Sequence, residues 1–130
     1  MSLNDPLSNV LSKIDKAEEK GKNKIVVGPN SKTTRAVMNL LRDNKYIGKI
    51  DSFEDKKGGR LEINLLGAIN KIGVIKPRFS SKVEEYKKYE KRFLPAFGFG
   101  FLIVSTNKGI MTQEQATKEN LGGKLIAYVY

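Results

Sequence analysis

Phe101-Leu-Ile-Val-Ser-Thr-Asn-Lys-Gly-Ile-Met-Thr112 opens with four apolar β-formers and breaks at once into small polar groups, one cation and a glycine. Phe101 to Val104 is too short for a useful helix, so it is expected to be buried as a strand or a short core segment. Ser105, Thr106, Asn107 and Lys108 then project from the end of that strand. Ser, Thr and Asn each donate and accept hydrogen bonds, and Lys adds three donors and a charge. Gly109 permits positive φ and a close backbone approach. Such a tip suits a partner rich in hydroxyls, base edges and phosphates. The plainer alternative is a loop that closes on itself through an Asx or Ser/Thr turn, and local chemistry alone leans to it.

Composition shifts that balance. The 130 residues suit one domain or two small subdomains. A net charge of +10 and a pI near 9.8 set up a positive field that attracts polyanions, nucleic acid first and an anionic membrane surface second. No apolar run is long enough to span a bilayer. Met1 to Lys24 is amphipathic and charged, unlike a secretory leader. The chain has no cysteine, which fits a reducing, cytoplasmic setting without disulfides or thiolate metal sites. It has no histidine either, so the commonest general base and metal ligand are both missing. No enzymatic activity, metal or cofactor is expected.

Outward from the tip toward the N-terminus, two subdomains are expected, 1–77 and 78–130. The first reads α-β-α-β-β. Asn4 or Asp5 caps a helix begun by Pro6, with Leu7, Val10, Leu11, Ile14 and Ala17 as its stripe and Gly21 as its stop. Lys13, Lys16, Lys20, Lys22 and Lys24 enrich this region in cations, mostly as a solvated face. Lys24 to Val27 is a short strand ended by Gly28-Pro29. Asn30 or Ser31 caps a second helix with core positions Val37, Leu40 and Leu41. Lys32 and Arg35 in its first turn oppose the helix dipole, and a bound phosphate would give them a reason to be there. Ile50 to Glu54 and Arg60 to Leu66 form a hairpin around residues 55–59, with Leu61, Ile63 and Leu65 on the dry face. Ile69 to Ile75 adds a strand closed by Pro77. Gly58 and Gly59 belong to the turn and make no phosphate loop.

The second subdomain is mostly β with a short helix. Ser80 to Arg92 reads as a helix anchored by Val83, Tyr86, Phe93 and Leu94. Tyr86 or Tyr89 could stack on a base, but tyrosines at helical spacing more often pack. Thr112-Gln-Glu-Gln115 is a capping box for a further helix, which Asn120 to Gly123 ends. Lys124 to Tyr130 alternates as a terminal strand. The whole is α+β.

At this point the residues carry a family resemblance. Val104 to Thr112, followed by Glu114, Ala116, Gly122-Gly123 and the terminal Tyr-Val-Tyr, resembles the signature of the small-subunit ribosomal protein family numbered eight in bacteria. Asn4-Asp5-Pro6-Leu7 and the order of elements also fit, so the resemblance spans essentially the whole chain. The longer segment between Pro77 and Pro95, and Phe97-Gly98-Phe99-Gly100-Phe101 in place of an aliphatic Gly-Leu-Gly form, look like the archaeal and eukaryotic branch. Asn107 stands where the bacterial motif usually has Ser, which changes that contact in detail while keeping it polar.

The resemblance implies a structural constituent of the small ribosomal subunit. It would bind an internal-loop helix in the central domain of small-subunit rRNA and assist assembly of that domain beside neighbouring ribosomal proteins. In bacteria the family also represses its own operon through a similar site on messenger RNA, which adds its own mRNA as a candidate partner. The chain would be a monomer off the ribosome. Candidate RNA contacts are Ser105, Thr106, Asn107, Lys108 and Gly109, then Gly122, Gly123 and Lys124, then Asn30, Ser31 and Lys32. Gly122 and Gly123 serve equally well as helix terminators. Two rivals stand beside this: a general nucleic-acid-binding module off the ribosome, and an enzyme built on Asp51, Glu54 and Asp55. The first lacks a recognition-helix motif or zinc spacing, and the carboxylates of the second sit among lysines at a hairpin.

Overall fold

The computed structural model describes residues 6–28, 31–54, 59–96 and 98–130. The expected caps Asn4 and Asp5, the turn residues 55–58 and Phe97 lie outside them. The chain divides into two compact units, the first ending at Lys71 and the second spanning Ile72–Tyr130.

In the first unit, α1 (Pro6–Glu19) turns its predicted stripe inward, with Leu7, Val10, Leu11, Ile14 and Ala17 all buried. Gly21 stops it at φ +71°, and the Lys22 N–H closes back on the Ala17 carbonyl at 2.9 Å. After β1 (Lys24–Val27) comes α2 (Lys32–Asp43), whose buried residues are Thr34, Val37, Met38 and Leu41. The expected Leu40 is only half-buried. The spacing 34, 37, 38, 41 is the 3.6-residue period, and Leu40 lies at its margin. β2 (Ile47–Phe53) and β3 (Arg60–Leu65) form the expected antiparallel hairpin. The sheet order is β1-β3-β2, so β3 sits between two strands that each run antiparallel to it. Leu61, Ile63 and Leu65 are buried, whereas Arg60, Glu62 and Asn64 face the wetter side.

The second unit contains β4 (Ile72–Val74), β5 (Ser80–Ser81), a 3-10 turn (Val83–Glu85), α3 (Tyr86–Phe93), β6 (Phe101–Thr106), β7 (Gly109–Thr112), α4 (Gln113–Lys118) and β8 (Gly123–Val129). Its sheet runs β4-β8-β6-β7, with β5 also paired to β8. β6 and β8 are the two inner strands of this sheet. Leu102, Ile103, Val104, Leu125 and Ala127 are all fully buried, and Phe101 to Val104 reads as a continuous apolar run instead of an alternation. In β8 the expected alternation holds only partly, since Ile126 is buried as well. A bulge accounts for it: Ile103 faces Ala127 and Val104 faces Leu125, so the β8 residue between them has no opposite number on β6.

Two expectations are corrected. The strand expected over Ile69 to Ile75 shrinks to Ile72–Val74 and pairs with Val129, Tyr128 and Ala127 of β8. It therefore belongs to the second unit, and the expected break after Pro77 falls inside that unit. Ile69 stays with the first, its N–H donating to Glu18 Oε2 at 3.1 Å. The helix expected from Ser80 begins later, because Ser80 and Ser81 extend along β8 opposite Lys124 and Gly123 before the chain turns.

Candidate nucleic-acid interface

β6 and β7 make a tight hairpin in which Thr106 pairs with Gly109 and Asn107-Lys108 form the turn. Neither turn residue has positive φ; the left-handed step falls on Gly109 at φ +116°, in open space. The Thr106 hydroxyl holds this turn, donating to the Gly109 carbonyl at 2.8 Å and accepting from the Lys108 N–H at 3.1 Å. The self-closing turn to which local chemistry leaned is therefore real, and it belongs to Thr106. Ser105, Asn107 and Lys108 are exposed, and their side chains make no hydrogen bond or ion pair among the described residues.

Ser105 lies opposite Lys124 on β8, and Lys124 lies opposite Ser80 on its other side. Three strand ends thus meet at one rim. The groove there, about 560 Å³, brings Ser105, Thr106, Asn107, Gly122, Gly123 and Lys124 together. Lys108 and Gly109 sit at the hairpin tip beyond its lining. Sequence reasoning missed its other wall, Ser80, Ser81, Lys82 and Glu85. The Ser-Ser pair after Phe79 was the available signal, but its pairing with β8 is a long-range fact. The Glu85 carboxylate accepts the Lys82 N–H at 2.9 Å, and the Ser81 hydroxyl donates to the Lys82 carbonyl at 3.0 Å. These bonds fix the wall and leave the Lys82 ammonium exposed.

Gly122 and Gly123 have a packing reason to be glycine. A Cβ on Gly122 would come within 2.7 Å of the Ser81 carbonyl oxygen, and one on Gly123 would collide with the Ser105 carbonyl oxygen. Termination of α4 falls instead to Asn120, at φ +57°, with the Leu121 N–H reaching the Ala116 carbonyl at 2.8 Å.

The rim rests on two buried polar contacts. Gln113 takes over where β7 ends: its Oε1 accepts the Leu102 N–H at 2.8 Å and its Nε2 donates to Glu90 at 3.0 Å. Tyr86 is 2% exposed and donates to the Leu121 carbonyl at 2.8 Å, just ahead of the glycine pair. Burial holds its phenol pKa above the ordinary value. Tyr89 is also buried and stacks on Phe79, with ring centroids 5.5 Å apart. Both tyrosines are packing residues.

In the first unit, Ser31 caps α2. Its hydroxyl accepts from the Thr34 N–H at 3.1 Å and donates to Thr34 Oγ1 at 2.9 Å, so it is occupied within the protein. Lys32 and Arg35 are exposed beside it. Asn30 lies outside the described residues. Asp51 and Glu54 are exposed, Asp51 pairing with Lys49 at 3.7 Å, and Asp55 lies outside the described residues. No described helix is long and apolar enough to cross a membrane.

The arrangement offers unengaged hydroxyl and amide groups beside ammonium groups on an open rim. That combination suits a sugar–phosphate partner with polar edges. A family model described as Ribosomal protein S8 matches residues 5–130 of the chain.

Proposed function

The chain belongs to the ribosomal protein S8 family, whose members are small-subunit ribosomal proteins that bind rRNA, and from that premise we propose that the β6–β7 tip and the groove beneath it are its specific RNA contact. A-form RNA hides base edges in a deep groove, so specific proteins read shallow-groove 2′-hydroxyls and distorted loops. Ser105 and Asn107 carry the small donor–acceptor groups such a surface requires. The observation that supports the assignment is their exposure without an internal partner at a rim shared with Lys124. Thr106 shapes the turn that presents them, and Gly109 lets the chain reverse there. Lys108, Lys124 and Lys82 contact phosphates, which position the protein without carrying sequence information. Gly122 and Gly123 keep the rim low enough for close approach. Lys32, beside the Ser31 cap, adds a phosphate contact from the first unit.

The target is an internal-loop helix in the central domain of small-subunit rRNA, and binding there assists assembly of that domain in the cytoplasm. A similar loop in its own mRNA would be bound by the same rim and would repress translation. Off the ribosome the protein is a monomer, and on it neighbouring ribosomal proteins adjoin. It carries out no catalysis. Footprinting on total small-subunit RNA tests this: one protected internal-loop helix in the central domain is expected. Dispersed protection, or equal affinity for duplex DNA at matched salt, would favour a general nucleic-acid-binding module.

A further inference from the structure

A second charged feature lies in the first unit, outside the groove described above. Lys13 and Lys16 of α1 and Lys20 just past its end meet Lys22 and Lys24 around one open groove of about 430 Å³, lined also by Ala17, Ile25 and Val26. At 100° per residue, positions 13, 16 and 20 fall within an arc of about 60°. The acids of α1 that make contacts are turned elsewhere, Asp15 to Lys71 at 3.3 Å and Glu18 to the Ile69 N–H at 3.1 Å. Only Lys24 has a carboxylate on it, Glu62 at 3.1 Å. Lys13, Lys16, Lys20 and Lys22 are exposed and make no ion pair among the described residues.

The helix dipole explains some of this, since cations near a helix C-terminus are favourable. It accounts for Lys16 and Lys20. It gives no reason for Lys13, which lies before the last turn of α1, or for Lys22 and Lys24 beyond the helix. Mutual repulsion among the ammonium groups is relieved when an extended polyanion lies along them. We infer that this groove is a second RNA site, one that holds the phosphodiester backbone irrespective of sequence. Its lining has ammonium groups and apolar side chains but no amide, hydroxyl, guanidinium or aromatic side chain with which to read a base. An acidic peptide fits less well, because the lining offers its backbone amides no partner. Lysines act as point charges and suit phosphates at variable angles.

The test is lysine acetylation of the whole chain, quantified by mass spectrometry, with and without poly-uridylate RNA. It is run on the parent and on an Asn107→Ala/Lys124→Ala background that weakens the other groove. Poly-uridylate should slow acetylation of Lys13, Lys16, Lys20 and Lys22 several-fold in both proteins. The Lys13→Gln/Lys16→Gln/Lys20→Gln variant should flatten the slope of log affinity against log salt by about two to three, because each lost phosphate contact removes about 0.7–0.9. These lysines are exposed, so that variant should keep the parent's circular dichroism and melting profile. Unchanged acetylation at these lysines with Lys108 and Lys124 protected would overturn the inference and leave the specific rim standing. The reverse pattern would uphold the groove, the rim being judged on its internal-loop RNA and not on poly-uridylate. Protection in the parent alone would show that the groove has no affinity of its own, which overturns it. Protection by poly-glutamate but not by RNA would assign the groove to an acidic protein and overturn it too.

Discussion

Gln113→Ala should cost the second unit about 2–4 kcal/mol, more than truncating any exposed polar side chain of the groove. Two terms make up that sum. The Leu102 N–H is fully buried and has Gln113 Oε1 as its acceptor at 2.8 Å, so truncation leaves a desolvated donor, at about 1–3 kcal/mol. The second bond runs from Nε2 to the Glu90 carboxylate at 3.0 Å and adds about 1 kcal/mol, discounted because Glu90 is half-buried. Four of the five tyrosines (Tyr86, Tyr89, Tyr128 and Tyr130) lie in this unit, so near-ultraviolet tyrosine dichroism in a urea titration reports mainly on it. Hydrogen exchange at the Leu102 amide should accelerate by the same free energy. Gln113→Glu sharpens the test: it keeps an acceptor for Leu102 but sets one carboxylate against another, so its deficit should shrink as pH falls through the carboxylate range. If Gln113→Ala unfolded within about 0.5 kcal/mol of the parent, the reasoning that this side chain completes the β6 ladder would be refuted.

Gly123→Ala forces a methyl group into the Ser105 carbonyl oxygen, so it should destabilise the unit by about 1–3 kcal/mol and weaken RNA binding by parting Ser105 from Lys124; parent-like urea midpoint and affinity would contradict this. Tyr86→Phe should cost about 0.5–1.5 kcal/mol at neutral pH by removing the bond to Leu121. Because burial raises the Tyr86 phenol in the folded state, its contribution is complete below the unfolded value of about 10 and is lost as pH rises through the folded value. The parent should therefore lose stability above pH about 10 more steeply than Tyr86→Phe, and parallel pH profiles would count against it. Lys32→Ala should weaken cognate and scrambled RNA alike and lower the salt slope by about one contact; loss of discrimination would contradict a phosphate role.

Much of the fold was legible because the two periodicities are clean. The α1 stripe and the alternation in β3 each predict which face is buried, and both are buried as predicted. What was not legible depends on partners distant in sequence. Ile72 to Val74 looks like a continuation of the first unit, yet it pairs with the last strand of the chain. Gln113 looks like a surface helix residue, and only the end of β7 one residue earlier makes it a ladder partner. The Thr112 cap was readable and forms, its Oγ1 accepting the Gln115 N–H at 3.1 Å. The reciprocal arm of the box does not, because Gln115 turns to Glu119. For the candidate site, the abrupt end of an apolar run announced the tip. The division of labour within it, Thr106 inward and Ser105 and Asn107 outward, needed the hairpin geometry. The Ser80 to Glu85 wall needed the β5–β8 register.

The central claim is that the β6–β7 tip reads RNA, and paired titrations of Asn107→Ala and Lys108→Ala test it most directly. Each variant is titrated with cognate internal-loop RNA and a scrambled control at several salt concentrations, with its melting temperature measured alongside. Asn107→Ala removes no charge, so it should lose about 1–3 kcal/mol on the cognate RNA alone, with its salt slope unchanged. Lys108→Ala should weaken both RNAs and flatten the slope by about one contact. The contrary result is Asn107→Ala binding its cognate RNA as tightly as the parent at every salt concentration, or unfolding outright, either of which would make the tip a purely structural turn.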